Sequence, residues 1–201
     1  RGLGDVYKRQ EHPVISVPDG EIIPGEVMQK IKDSGREVEL NYGDYSWIIT
    51  GFDVDYTAKP IDLRIMRVAE SNWAEAVKTA SGHLYKMQIS IQHSGDFGFT
   101  ALLKLNLSDG KPANPGTYYA NLYQLSGDQL KWSVYSDLAE ESGKYIAKLE
   151  FTHASDWLVT IDSEINPGSG NDGGSTGGSG NRVNGIKKAR TLKSEGWDNI
   201  V

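Results

Sequence analysis

From Val38 to Ile161, apolar side chains recur at every second position, and that period leaves few folds open. Tyr85, Met87, Ile89 and Ile91 alternate with Lys86, Gln88, Ser90 and Gln92. Phe99, Ala101, Leu103, Leu105 and Leu107 repeat the pattern, and Ile61, Leu63 and Ile65 repeat it around Asp62 and Arg64. Val38, Leu40 and Tyr42 face Tyr45, Trp47 and Ile49 across a Gly43-Asp44 turn, which predicts a hairpin. Further strands are predicted over 118–125, 130–137, 145–151 and 157–161, separated by Gly, Pro, Asn and Asp. Side chains that alternate along a strand put one face in a core and the other in water. The predicted class is therefore all-β with two short helices, an antiparallel, Ig-like β-sandwich. Its core should hold Trp47, Ile49, Leu63, Ile89, Ile91, Leu103, Leu105, Leu122, Leu149, Phe151 and Val159.

The first helix should open at Pro24, carry Val27, Met28 and Ile31 on one face, and stop at Gly35. The second should be capped by Asn72, with Trp73, Ala76, Val77 and Ala80 on one stripe before Gly82. Each reads as a lid over an open end of the sandwich, with Trp73 in core packing.

The segment 167–181 is built from Gly, Ser, Thr, Asn and Asp after Pro167. It holds no large apolar side chain to offset its ordering entropy and reads as a flexible tether. Residues 11–166 precede it as one domain of about 150 residues, a normal single-core size. Residues 182–201 follow it and are too few to fold alone, so they read as the start of a further repeat or module. Residues 1–10, RGLGDVYKRQ, match the translated end of a common transposase-based sequencing adapter. They are set apart from the fold as foreign, and an assembled environmental read is the expected source.

The chain has no Cys, which excludes disulfides, thiolate metal sites and thiol catalysis. A net charge of −6 disfavours nucleic acid as a partner, because phosphate binding needs a basic face. No apolar run is long enough to insert in a membrane.

Residues 152–157 place His153, Ser155 and Asp156 close together, but a catalytic triad converges from separate elements. The better reading is a turn whose Ser155 and Asp156 bond local backbone. His83, His93 and His153 lack the spacing of a metal site. Asp53-Val54-Asp55 begins like a calcium loop without its Gly and closing Glu. No catalytic residue, cofactor or metal is expected. Tyr118, Tyr119, Tyr123, Trp132 and Tyr135 cluster on two neighbouring strands. They are either cross-strand packing or an exposed platform for sugar rings.

Three stretches carry a resemblance: Tyr45-Ser46-Trp47-Ile48-Ile49 with Asp62-Leu63; His93-Ser94-Gly95-Asp96-Phe97-Gly98-Phe99; and Phe151 through Trp157. Together they resemble a repeated domain of unknown function in large secreted or cell-surface proteins of Gram-positive gut bacteria. In that resemblance Trp47, His93, Phe97, His153, Asp156 and Trp157 are structural motif positions, Trp157 standing where Tyr is commoner. The tail Gly196–Val201 looks like the opening of another copy. The resemblance implies an extracellular or cell-surface module without catalysis, used for spacing, adhesion or presentation of neighbouring modules of the same polypeptide. Glycans, or a host or cell-wall surface, are the expected outside partners. The alternative is a carbohydrate-binding module attached to a polysaccharide-degrading enzyme.

Overall fold

The computed structural model describes residues 12–55 and 59–166. The adapter-like segment 1–10, the tether 167–181 and the tail 182–201 lie outside the described residues. Eleven strands and two α-helices are present among those described. The strands are β1 (Val14–Ser16), β2 (Glu37–Asn41), β3 (Tyr45–Thr50), β4 (Ile65–Arg67), β5 (Tyr85–Ile91), β6 (Asp96–Asn106), β7 (Tyr119–Ser126), β8 (Gln129–Asp137), β9 (Ala139–Glu141), β10 (Lys144–His153) and β11 (Asp156–Asp162). A six-stranded sheet, ordered β1-β2-β3-β6-β10-β9, packs on a five-stranded sheet, ordered β4-β5-β11-β7-β8. Only the β1–β2 pair is parallel. The molecule is thus the all-β sandwich that the alternation predicts.

The core forms where the two inner faces meet. All eleven residues expected there are buried, Trp47, Ile49, Leu63, Ile89, Leu103, Leu122, Leu149 and Val159 completely. Trp47 meets Phe97 and Phe151 edge to face, with ring centroids 6.0 and 5.5 Å apart. The outer face of the first sheet is wet. It carries a ladder of charge in which Lys104 reaches Glu39 (3.6 Å) and Glu141 (3.8 Å), while Lys148 reaches Glu141 (2.6 Å).

The 61–65 run is the exception to the strand pattern. Ile61 and Leu63 are buried in the expected phase, yet the ladder starts only at Ile65. An isolated bridge to Ile23 holds Ile61, and side chains serve the backbone further on: Trp47 Nε1 donates to the Leu63 carbonyl (2.8 Å) and the Ile65 N–H donates to the Tyr45 hydroxyl (2.9 Å). β1 and β9 were not expected, because three largely exposed residues at a sheet edge carry no alternation.

Helix α1 spans Gly25–Ser34, with Pro24 one position earlier than expected, at the N-cap. Gly35 closes it at φ 61°, the left-handed conformation that glycine adopts at least cost. Helix α2 spans Glu75–Thr79, and this start corrects the sequence reading: Asn72 ends a separate 3₁₀ turn and caps nothing. The position of α2 is also corrected. It lies on the outer face of the second sheet, not over an open end. Val77 is buried there against Tyr123 and Leu158, with Trp73 and Trp132 packed around them. Lys86 of β5 donates to the carbonyls of Val77 (2.7 Å) and Ala80 (2.7 Å) at the end of this helix. A cation on these last carbonyls satisfies acceptors that the helix itself cannot.

Candidate functional site

The most concentrated polar constellation is buried under that cover. Asp162 ends β11 with its side chain 3% exposed, beside His83 at 4%. His83 Nδ1 donates to Asp162 Oδ1 at 2.9 Å. Thr160 Oγ1 (2.6 Å) and Asn121 Nδ2 (2.9 Å) both donate to Asp162 Oδ2. Asn121 uses every group it has. Its amide nitrogen also reaches the Glu164 carbonyl (3.1 Å), and its oxygen accepts from Trp132 Nε1 (3.2 Å) and the Asn166 N–H (3.2 Å). Burial pushes the Asp162 carboxyl up, but bonds from His83, Thr160 and Asn121 outweigh that and hold it below the usual carboxylate range. The cluster fastens the chain just after β11 to the middle of the second sheet.

Sequence reasoning passed over Asn121, Thr160 and Asp162, since the alternation puts them on a face assumed to be wet. A signal was present in Trp157-Leu158-Val159, apolar in both phases, which marks a strand covered on both sides.

The structure keeps the three weighed histidines apart in role. His83 serves Asp162, while His93 lies against the Phe97 ring at 5.8 Å. His153 sits over Trp157 at 5.2 Å with Nε2 3.0 Å from Gln124 Nε2. No group of three or more His, Asp or Glu able to hold a metal occurs among the described residues. Asp53, Asp55 and Asp96 do line one open depression of about 530 Å³, with Thr100 and Thr152.

The turn at 152–157 needs one correction. Asp156 is exposed and its carboxylate makes no hydrogen bond among the described residues; the backbone holds the turn instead, through Ala154 N–H to Gly95 O (2.9 Å) and Ile91 N–H to Ser155 O (3.2 Å). Asp156→Ala is therefore expected to change stability by less than about 0.5 kcal/mol. His153→Ala, which removes a half-buried partner of Gln124, should cost about 1 kcal/mol. Urea unfolding of the two variants checks the contrast, and equal losses would contradict it.

Tyr119, Tyr123, Trp132 and Tyr135 lie on the outer face of the second sheet without forming an exposed row, and Tyr118 does not join them. Tyr118 faces the core and its hydroxyl donates to the Asn114 carbonyl (2.8 Å). Tyr123 is buried and donates to the Asn166 carbonyl (3.3 Å). Tyr119 and Tyr135 meet edge to face at 6.0 Å, both half-buried. A bulge sets the arrangement: Leu122 pairs with Val134 but Tyr123 pairs with Trp132, leaving Ser133 as the extra residue. Trp132 and Val134 thereby turn to opposite faces, and Trp132 joins the cluster under α2.

Among the described residues no helix is long and apolar enough to cross a membrane. The chain matches no protein-family model, no curated protein and no solved structure.

Proposed function

We propose that this chain is a non-catalytic spacing module of a modular extracellular bacterial protein, one bead in a series that sets distance and presents its neighbours. The direction of its strands carries the reading. β1 runs parallel to β2, and β2, β3, β6 and β10 alternate in sense. β11 reverses β10 after a short turn, so β1 and β11 run the same way. β1 and β11 thus both point toward the Asn106 end, where Tyr85, the partner of Ile161, packs on Gly110; after β11 the chain turns back along the second sheet, where Glu164 and Asn166 bond Asn121. A first and a last strand that run in the same sense suit a module strung between others. The Gly/Ser-rich segment that follows, the lack of Cys and the resemblance to surface repeats agree with this role.

The sugar-binding alternative rests on an exposed aromatic row, whereas Tyr119 and Tyr135 form a half-buried edge-to-face pair and Trp132, also half-buried, packs beside Val77. Retention of the purified chain on insoluble glucans, xylans and mucin glycans tests the choice, with esterase, peptidase and glycosidase substrates assayed in parallel. The expected result is neither retention nor turnover. Retention lost in Tyr119→Ala/Tyr135→Ala with unchanged thermal unfolding would replace the spacing role with glycan binding. Turnover lost in a folded, equally stable Asp162→Asn variant would make the buried cluster an active site.

A further inference from the structure

We infer that the free edge of β1 and the groove beside it form a docking site for an extended acidic-apolar peptide segment of a partner protein. This goes beyond the spacing role and stands without it.

β1 is the outermost strand of its sheet. The Pro13 carbonyl accepts from the Glu39 N–H (2.9 Å) and the Val17 N–H donates to the Asn41 carbonyl (2.8 Å), so odd-numbered residues turn their backbone toward β2. Val14 and Ser16 turn theirs outward, and those N–H and C=O groups have no partner among the described residues. Such an edge is a template for one more strand. Pro13 and Pro18 bracket this edge and confine the free stretch to the residues between them, where Val14 is 57% and Ile15 40% exposed.

Beside the strand lies a groove of about 640 Å³ between β1, β2 and α1. Ile15, Val27, Ile31 and Val38 form its apolar lining. Its charged lining residues are Lys30 and Arg36, both cations, both exposed, and neither side chain has an ion-pair or hydrogen-bond partner among the described residues. Phe52, 87% exposed, lies over Gly35 between the lining residues Ser34 and Arg36. Two unpaired cations on an apolar groove, in a chain of net charge −6, select a carboxylate flanked by aliphatic or aromatic side chains. The chain's own tail does not fit, because Arg182, Lys187, Lys188, Arg190 and Lys193 bring the same sign. Two cations are also too few to hold an anionic lipid surface. Backbone pairing at Val14 and Ser16 would supply affinity, and the groove would supply the choice of sequence.

The test is selection of short peptides from an unbiased displayed library on the immobilised full chain. Fluorescence polarisation with the selected consensus peptide follows. Selected peptides are expected to alternate Asp or Glu with Val, Ile, Leu or Phe. Affinity should fall about tenfold or more in Lys30→Glu/Arg36→Glu, which reverses the groove's charge. It should fall by about as much in Ser16→Pro, which deletes an outward N–H while sparing the ladder to β2. Both variants should keep the wild-type unfolding midpoint; Lys30→Gln/Arg36→Gln replaces the first if it does not fold. No enrichment over bare matrix, enrichment of basic peptides, or affinity unchanged in the variants would overturn the proposal. So would binding to phosphatidylserine vesicles with no peptide selected.

Discussion

Trp47→Ala is expected to lower unfolding stability by about 3–5 kcal/mol, the usual cost of emptying a large buried aromatic site. The residue is fully buried at the point where both sheets meet, with Phe97 and Phe151 against its faces and edges. Its indole N–H also holds the Leu63 carbonyl in the 61–65 segment. A domain of this kind is stable by about 5–15 kcal/mol in total, so the variant should sit near the threshold of folding. Trp47→Phe separates the two contributions. It keeps an aromatic ring in the site and loses the hydrogen bond, so it should cost about 1–3 kcal/mol and leave the Leu63 carbonyl unpaired. Guanidinium unfolding of both variants measures this, and a loss below about 1 kcal/mol for Trp47→Ala would remove Trp47 from the centre of the packing.

Asp162→Ala should cost a similar amount, about 3–5 kcal/mol, for a different reason. It leaves His83, Thr160 and Asn121 buried without the acceptor they share. The carboxyl is held below its ordinary value of 3.8 in the folded protein, so the folded state releases its proton more readily than the unfolded chain. Its contribution is present above that ordinary value and is lost as pH falls through the lower, folded one. Wild-type stability should therefore drop on acidification below about pH 4 more steeply than stability of Asp162→Asn, which has no proton to gain at that position. Thermal unfolding across that range measures the difference; parallel slopes would mean that Asp162 titrates alike in both states.

The sandwich was legible because water imposes period two on a half-buried strand, and burial along β6 follows it from end to end. Gly43 and Gly35 were legible because a hairpin turn and a helix end each need a left-handed residue, and both adopt one, at φ 94° and 61°. What failed to show was whatever depends on a distant segment. Thr160 and Asp162 look solvent-facing until His83 and the chain after β11 take up their places beside Asp162 and Asn121. Asn121 takes partners from β8, β11 and the chain beyond Asp162, so no local pattern announces it. The aromatic cluster left packing and an exposed platform both open, because the Ser133 bulge, which puts Trp132 on the outer face beside Tyr123, has no sequence signature. β1 was missed since its three residues are all exposed, yet its free edge is the feature from which the peptide site follows.

The spacing role requires that the module carry load along its length. β11 sits between β5 and β7, with six register pairs to each, so tension at its C-terminal end shears both ladders together. β1 is held by three pairs to one neighbour. Single-molecule stretching of the chain by its two ends is therefore the most direct measurement. The account predicts a small early release of β1, then one dominant cooperative unfolding that frees about 50 nm, the reach of the extended chain of a domain this size. Asp162→Ala should lower the force of the dominant step. Gradual extension with no cooperative step would contradict the account.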